Sequence, residues 1–374
     1  MIIGVTKEIK NNENRVGITP ANIKKFIENK HTILIESNAG FGSGFSDEEY
    51  RENGAIILQT AKEVWEKAEM IIKVKEPLQS EYKYFRPGLI IFTYLHLAAD
   101  RELTEEMLKK KVIGICYETV ELKDHSLPLL TPTSQVAGRM SVQIGAHFLE
   151  KHYGGEGILL GGVDNVQPGH VVIIGGGIVG HNACQIALEM KANVTLLDLN
   201  QNILQKIKEE FKGEKIETLV STKENLEQTI KTADLVIGAV LIHGAKAPKI
   251  ITEKMVKSMK KGSVIVDVSI DQGGIVETMD RITTHENPVF IKHDVVHYSV
   301  ANIPGAVPKT STLALTTATM PYALEIANNG WKIAVKKDPS LAKGVNVVGG
   351  HLVYKAVSEA FNLPYFDLEG LLDE

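Results

Sequence analysis

The 374-residue sequence predicts an α/β protein with two Rossmann-like, doubly wound parallel-sheet domains. Short β-branched runs alternate with amphipathic helical stretches along the chain. These runs are almost continuously apolar, which is typical of strands buried on both faces of a parallel sheet. A glycine-rich turn directly follows one of them near residue 175. The length accommodates roughly two or three domains.

The first α/β unit is predicted over residues 1 to 128. Its strand-helix alternation begins at the first residues of the chain and indicates a buried parallel sheet. The predicted strands are Ile2–Val5, Thr32–Ile35, Met70–Val74, Leu89–Phe92 and Val112–Cys116, and the helices between several of them are Ala21–Asn29, Ala61–Lys67 and Arg101–Lys110.

A second α/β unit follows a long helix and a glycine-rich surface loop. Its predicted strands are Val171–Ile174, Asn193–Leu197, Leu235–Ala239 and Val264–Val268. The helices predicted beyond residue 128 include 134–151, 178–190, 310–329 and 351–361. Because two long helices flank the second unit, we expect residues 129–307 to form a domain inserted into one made of residues 1–128 and 308–374.

Composition and charge exclude several classes of function. The net charge of −5 does not favour nucleic acid, since neutralising phosphates needs clustered Lys and Arg. No apolar run reaches the roughly 18 residues of a membrane span, and the first residues lack a signal-peptide layout. The two cysteines, Cys116 and Cys184, form neither a disulfide framework nor a metal-binding pattern. We therefore expect a cytoplasmic protein without a bound metal.

The glycine-rich turn is a dinucleotide-binding motif, G-x-G-x-x-G, that follows a strand and opens a helix. The first glycine allows the tight turn, the second lets the backbone approach the pyrophosphate, and the third lets the helix pack on the strand. The helix N-terminus then directs free N–H groups at the phosphates. The predicted cofactor-binding residues of this motif are Gly175, Gly177, Ile178, Val179 and Gly180.

The residue that ends the next strand selects the cofactor. Asp198 follows Gly180 by 18 residues, where a carboxylate accepts hydrogen bonds from the ribose hydroxyls and repels a 2′-phosphate. The sequence therefore favours NAD over NADP. The motif by itself is weak support, and a glycine-rich turn in an unrelated α/β protein is the alternative.

Three cationic or titratable residues follow strands of the first predicted domain. Arg15 lies beyond the first strand, Lys75 closes the third and His96 follows the fourth. Ligands of open parallel sheets bind outside the carboxyl ends of the strands. Arg and Lys can hold a small carboxylate there, and His can move protons near neutral pH. Taken singly, each has a plainer interpretation, as a solvated cation or a structural histidine.

Asp271 occupies a comparable place in the second predicted domain. It follows the strand Val264–Val268, and Gly273 and Gly274 after it permit a sharp turn beside a ligand. The alternative is an aspartate that caps a turn.

Long blocks of the sequence, in the correct order, resemble the alanine dehydrogenase family. They are IGVTKEIKNNENRVGITP, VKEPLQSEY, FTYLHLAAD, TPTSQVAGRMSVQIGAHFLE, GAVLIHGAKAPKIIT, VIVDVSIDQGG and SVANIPGAVPKTSTLALTTATMPY. The resemblance covers essentially the whole chain. It implies NAD-dependent interconversion of L-alanine with pyruvate and ammonium, by a homohexamer.

The resemblance also implies a role for individual residues. His96 would be the catalytic acid/base, Asp271 the second catalytic carboxylate near the nicotinamide, and Arg15 and Lys75 the substrate ligands. Further cofactor contacts would come from Ser134 at the pyrophosphate, Ser221 near the adenine, the backbone of Ala239 and Val240, and Asn302 on the nicotinamide side.

Two departures from the family pattern leave cofactor affinity open. His243 stands where relatives have Pro, and Asp164-Asn165 where they often have Pro-Gly. Three rival functions remain. The chain could be an NAD-binding component related to proton-translocating transhydrogenase, an amino-acid dehydrogenase for a longer substrate of the saccharopine type, or a cofactor-sensing regulator. Strictness for alanine over glycine or 2-aminobutyrate, and the physiological direction, are not encoded in these residues.

Overall fold

The computed structural model describes residues 1–240 and 247–373, so the departure at His243 lies outside the described residues. The strands are β1 (Ile2–Val5), β2 (Thr32–Glu36), β3 (Ile56–Leu58), β4 (Met70–Ile72), β5 (Ile90–Thr93), β6 (Ile113–Cys116), β7 (His170–Ile174), β8 (Asn193–Asp198), β9 (Ile216–Val220), β10 (Leu235–Gly238), β11 (Val264–Asp267), β12 (Val289–Lys292), β13 (Val295–Tyr298), β14 (Val345–Val348) and β15 (His351–Leu352).

The helices connect these strands throughout the chain. They are α1 (Pro20–Glu28), α2 (Asp47–Glu52), α3 (Ala61–Lys67), α4 (Arg101–Lys109), α5 (Thr131–Phe148), α6 (Ile178–Glu189), α7 (Gln201–Glu210), α8 (Lys223–Thr232), α9 (Glu253–Ser258), α10 (Pro308–Asn329), α11 (Trp331–Lys337), α12 (Pro339–Gly344), α13 (Lys355–Phe361) and α14 (Leu368–Leu372). Local sequence signals determine where several of these helices begin. Thr60 and Glu63 form a capping box at α3, and Pro20 and Pro308 are the first residues of α1 and α10.

The chain divides into two compact units. Unit 1 comprises Met1–Thr133 and Val307–Glu374, and unit 2 is Ser134–Ala306. In sequence, unit 2 is therefore inserted between the two segments of unit 1. The corresponding sequence-based boundaries were 128/129 and 307/308.

Unit 1 contains an eight-stranded sheet in the order β15-β14-β6-β5-β4-β1-β2-β3. Strands β1 to β6 are parallel and follow the doubly wound order 3-2-1-4-5-6. The tail of the chain adds β14 antiparallel to β6 and then β15 antiparallel to β14. Apolar clusters bury both faces of the sheet, which explains why its strands read as continuous apolar runs.

Unit 2 repeats this plan in a seven-stranded sheet, in the order β12-β13-β11-β10-β7-β8-β9. Numbered from β7 and leaving out β12, the parallel strands again follow the order 3-2-1-4-5-6, while β12 pairs antiparallel with β13 at one edge. Two apolar clusters cover its faces. The predicted α/β class with two Rossmann-like sheets is confirmed.

Some elements differ from the prediction. Strands β3, β9, β12, β13, β14 and β15 were not predicted, and the expected tail helix over 351–361 begins as the short strand β15 and becomes helical only at Lys355. Gly349 and Gly350 both adopt positive φ, 62° and 97°, and make the turn that pairs β15 with β14. A glycine turn therefore replaces the first part of the expected helix.

Candidate functional site

Each sheet reverses its strand order at one point, between β1 and β4 in unit 1 and between β7 and β10 in unit 2. Open α/β sheets bind ligands outside the carboxyl ends of the strands at such a reversal. Most of the predicted site residues follow strands at or beside these two points.

The glycine-rich turn of unit 2 lies at its reversal point. Gly175 has φ +105°, and a Cβ on it would stand 2.5 Å from the carbonyl oxygen of Ala239. A Cβ on Gly180 would stand 1.7 Å from the carbonyl oxygen of Gly175. The turn and the close approach of α6 to β7 therefore require the first and third glycines of the motif.

Gly177 is different, because the fold itself does not demand a glycine there. Its φ of −68° suits any residue, and apart from its two chain neighbours no described residue has an atom within 4 Å of the place a Cβ would take. Gly177 is also the N-cap of α6, and as a glycine it has no side chain with which to cap that terminus. An open space at an uncapped helix N-terminus fits a pyrophosphate.

Ala239, Val240 and Ser134 surround this turn. Ala239 donates its N–H to the carbonyl of Ile174, and its carbonyl and the N–H of Val240 face Gly175. Ser134 lies one helical turn before Gly138 in α5. A Cβ on Gly138 would be 2.2 Å from a backbone oxygen at the start of α6, so the two helices are in close contact there. Residues four apart share a helix face, so Ser134 lies on the side of α5 nearest to α6.

Asp198 closes the other side of the turn. Its Oδ2 accepts the N–H of Gly176 at 2.6 Å, and its Oδ1 accepts that of Asn200 at 2.7 Å. The carbonyl of Asp198 accepts the N–H of Ser221 at 3.0 Å, which brings Ser221 beside it at the carboxyl ends of β8 and β9. The carboxylate thus holds the glycine loop and still has lone pairs for ribose hydroxyls.

Asp271 is exposed on the short helical turn Val268–Gln272 that follows β11. The buried carboxylate of Asp267 holds that turn by accepting the N–H groups of Ser269 at 3.1 Å and Ile275 at 2.8 Å. Burial raises the pKa of Asp267 to about 6. Lys249 fixes the far side, because its Nζ donates to the carbonyl of Gly273 at 2.6 Å.

Asn302 lies beyond β13 in a left-handed conformation, with φ 63°. Its carbonyl accepts the N–H of Gly305 at 2.9 Å, which begins the short helical turn Ile303–Ala306. Asn tolerates this conformation better than most residues, and its place after β13 keeps it at the carboxyl edge of the sheet.

In unit 1, Arg15 is buried and held by a carboxylate two residues before it. Its Nε donates to Glu13 Oε1 at 2.7 Å and its Nη2 to Glu13 Oε2 at 2.6 Å. Burial raises the pKa of Glu13, but its hydrogen bonds with Arg15 and the nearby charge of Lys75 bring it below its ordinary value. Arg15 and Lys75 therefore lie in electrostatic range of one carboxylate, and the fork orients the guanidinium.

His96 adopts a left-handed backbone conformation, with φ 49° and ψ 36°. The Glu118 carboxylate holds it there by accepting its N–H at 2.6 Å and that of Leu95 at 3.2 Å. The side chain is half exposed, and its ring stacks on Tyr94 with centroids 5.9 Å apart. Such a backbone is strained for a residue other than glycine, and strained residues of this kind often occur at functional sites.

A second carboxylate faces the imidazole. Glu76 Oε2 lies 3.5 Å from His96 Nδ1, and Glu76 also pairs with Lys10. Burial raises the pKa of Glu76, but His96 and Lys10 bring it well below its ordinary value, so the group is an anion beside the ring. Because Glu76 follows Lys75 directly, the residues after β1, β4 and β5 form one charged cluster.

The sequence-based interpretation did not identify the acidic residues that hold the candidate site residues within each unit. Glu8, Glu13, Glu76, Glu118 and Asp267 were not singled out, although four of them lie within the blocks on which the resemblance rests. A signal was available, since each lies within about ten residues of the end of a predicted strand. Acidic residues are usually solvated, and their burial becomes visible only in three dimensions.

Neither a metal-ligand cluster nor a membrane-spanning helix occurs among the described residues. Across residues 1–240 and 247–373, no group of three or more His, Cys, Asp or Glu side chains is placed to hold a metal ion. Within the same ranges, no helix has the length and apolar character needed to cross a bilayer.

Comparison with known proteins gives consistent matches over both units. The family model described as alanine dehydrogenase/PNT, N-terminal domain, matches residues 4–137, and that described as alanine dehydrogenase/PNT, C-terminal domain, matches residues 141–355. An alanine dehydrogenase of Methanococcus maripaludis is 59% identical over 374 residues, and one of Staphylococcus haemolyticus is 56% identical over 374 residues. Both matches cover the whole of both chains.

Solved structures agree with these matches. A structure of an L-alanine dehydrogenase superposes with a TM-score of 0.93 at 49% identity, covering 97% of this chain and 99% of that one. A transhydrogenase from Sinorhizobium meliloti superposes with a TM-score of 0.81 at 22% identity, covering 95% of this chain and 100% of that one, which shows a shared fold.

Proposed function

The chain belongs to the alanine dehydrogenase/PNT family, and from this premise we propose that it is an L-alanine dehydrogenase. It converts L-alanine, NAD⁺ and water reversibly to pyruvate, ammonium, NADH and a proton. The observation that carries the proposal is the 59% identity to an alanine dehydrogenase over the full length of both chains. The 22% identity to a transhydrogenase carries the fold alone.

Unit 2 is the proposed NAD-binding domain. The open space at Gly177 receives the pyrophosphate, with N–H groups at the start of α6 and the Ser134 side chain as partners. Asp198 binds the ribose hydroxyls and disfavours NADP. The remaining proposed cofactor contacts are Gly175, Ile178, Val179, Gly180, Ser221, Ala239, Val240 and Asn302.

Unit 1 is the proposed substrate domain. Arg15, oriented by the Glu13 fork, and the ammonium of Lys75 bind the substrate carboxylate. Two fixed cations suit a small anion such as pyruvate or the carboxylate of alanine. Pocket volume sets the choice among small side chains, and one methyl group is worth only about 1–3 kcal/mol in such a pocket.

Side chains of this protein carry out the proton transfers of the reaction. NAD⁺, when bound, would supply the acceptor for the hydride that leaves the α-carbon of L-alanine with its amino group unprotonated. His96 takes a proton from the water that adds to the carbon of the resulting iminium ion, and Glu76 beside it remains anionic. Asp271 assists the proton movement by which the carbinolamine collapses to pyruvate and ammonium.

We further propose a cytoplasmic homohexamer whose partners are its small-molecule substrates. The net charge of −5 argues against nucleic acid as a partner. Sedimentation of the purified protein measures the mass directly, and any assembly other than six 41.0-kDa chains contradicts the hexamer.

The decisive experiment is reductive amination. Purified protein is mixed with NADH, pyruvate and ammonium, and the absorbance of the reduced nicotinamide is followed. We expect a rapid loss of this absorbance that depends on ammonium. Parallel assays with 2-oxobutyrate, glyoxylate and a saccharopine-type substrate test which substrate length the enzyme accepts. Intact NADH binding without turnover on any of them would instead favour a cofactor carrier or sensor.

A further inference from the structure

One buried carboxylate bridges the reversal point of unit 1. Glu8 follows β1 by three residues and is only 6% exposed. Its Oε1 accepts the backbone N–H of Val74 at 2.6 Å and that of Lys75 at 3.3 Å. Because β1 and β4 are neighbours in the sheet, this side chain ties the segment after β4 to the segment after β1.

Lys73, whose side chain is fully buried, balances the charge of Glu8. Its Nζ lies 3.1 Å from Glu8 Oε2 and 3.2 Å from Glu81 Oε1, so two carboxylates share one ammonium. Glu81 also accepts the N–H of Leu78 at 2.9 Å. Buried carboxylates that also accept backbone N–H groups hold the backbone in one geometry. The segment 73–78 is therefore fixed near both of its ends, by Glu8 and by Glu81.

That segment carries two groups of the proposed reaction, the Lys75 ammonium and the Glu76 carboxylate that faces His96. We propose that Glu8 is a positioning residue, which fixes the backbone of residues 74–76 and thereby the places from which Lys75 and Glu76 act. This inference rests on the proposed function, because Lys75 matters only if the substrate is an anion. Glu8 itself does not touch the substrate.

Two substitutions separate the hydrogen bond from the buried charge. Glu8→Met keeps an unbranched side chain of similar length but leaves the N–H groups of Val74 and Lys75 without their acceptor. Glu8→Gln keeps a carbonyl oxygen for them, while its amide group replaces the oxygen that faces Lys73. Lys73 stays paired with Glu81 in both variants, so neither leaves a buried cation without an anion.

The test measures KM for pyruvate, kcat and the affinity for NADH, together with hydrogen exchange of the peptide that spans residues 73–78. We expect Glu8→Met to raise KM for pyruvate about 10–100-fold, since small displacements of a binding group are costly. We expect faster exchange in that peptide and unchanged NADH affinity. Glu8→Gln should lie between wild type and Glu8→Met in KM and in exchange.

A matched control exists at the opposite edge of the same pair of strands. Glu69 is exposed and precedes β4, and its Oε2 accepts the N–H of Ile2 at 2.6 Å. Glu69→Met therefore removes a carboxylate contact with a backbone N–H away from the proposed site. It should leave KM for pyruvate and the exchange of residues 73–78 unchanged.

Three results overturn the inference, and they can be told apart. An active wild type with an unchanged KM in Glu8→Met refutes positioning while the proposed function stands. Unchanged exchange of residues 73–78 refutes the proposed cause. A wild type without turnover on pyruvate and ammonium refutes the proposed function, and the positioning role falls with it.

Discussion

The two reversal points are built on the same strand order but are filled with opposite chemistry. In unit 2 the strands on either side meet through backbone, with Gly175 against the carbonyl of Ala239. In unit 1 they are joined by the side chain of Glu8, amid the buried cations Arg15 and Lys73. The edge of unit 2 presents backbone N–H groups and open space. The edge of unit 1 presents cationic side chains that are held in place by carboxylates.

The two edges position their binding groups in different ways. Backbone N–H groups at a helix start are fixed by the fold and need only the absence of side chains. Long cationic side chains lose rotamer freedom when they are held in place, so each needs a partner that fixes it before a ligand arrives. We therefore expect substitutions in unit 1 to act on catalysis or substrate binding and those at the glycine turn to act on cofactor affinity.

The largest expected effect comes from His96. A general acid/base contributes about 10²–10⁴-fold to turnover, so His96→Ala and His96→Asn should lower kcat by that factor. Asn tolerates the left-handed backbone at φ 49° and keeps the loop geometry better than Ala. Stopped-flow kinetics measures kcat, and fluorescence titration should show unchanged NADH affinity. Near-normal turnover in His96→Asn would remove the proposed role.

The next effect concerns Asp267, which holds the turn that carries Asp271. Burial raises its pKa from the ordinary 3.8 to about 6, so between these values the folded state binds a proton that the unfolded state has lost. The contribution of Asp267 to stability is therefore greatest at low pH and falls as pH rises towards 6. Asp267→Asn removes this dependence. Wild type should lose about 2 kcal/mol more than the variant between pH 4.5 and 7.5.

Urea unfolding at several pH values measures this difference. Asp280→Asn is the control, because Arg281 and Lys292 hold the pKa of Asp280 below its ordinary value, and its titration lies outside this window. Its curve should run parallel to that of wild type between pH 4.5 and 7.5. If the curve of Asp267→Asn does so as well, the buried carboxylate does not titrate as described.

Apolar runs predicted most of the buried parallel strands, whereas the edge strands and the buried interior strands β13 and β14 were not predicted. Apolar continuity revealed β1, β4 and β10 because both faces of each are covered. Strand β9 is half exposed, with the pattern IETLV, and so lacks that signal. The hairpin of β14 and β15 depends on Gly349 and Gly350, whereas the residues after them have a helix-like pattern.

The candidate site divides in the same way. The cations and His96 were predicted because they follow strands at one edge, and their roles stay predictions. The carboxylates that hold them were not predicted. Glu13 lies two residues from Arg15, but whether such a pair is solvated or forms a buried fork depends on the packing of other segments, such as α10, whose Thr312 side chain accepts the N–H of Val16.

The smallest effect tests the glycine turn. Gly177→Ala places a methyl group where no described residue other than its chain neighbours comes within 4 Å, in a backbone conformation that alanine accepts. The melting temperature should therefore stay equal or rise slightly. The same methyl group would fill the space proposed for the pyrophosphate. We expect NADH affinity to fall about 10-fold, or roughly 1.4 kcal/mol, and fluorescence titration with differential scanning calorimetry measures both quantities.

Gly180→Ala makes the contrast with Gly177→Ala complete. Its methyl group would lie 1.7 Å from the carbonyl oxygen of Gly175, so the helix must move and the melting temperature must fall. We expect Gly180→Ala to lose both NADH affinity and stability. We expect Gly177→Ala to lose NADH affinity without losing stability. If Gly177→Ala binds NADH as wild type does, the open space at the start of α6 is not the pyrophosphate site, and the cofactor approaches the carboxyl edge of unit 2 elsewhere.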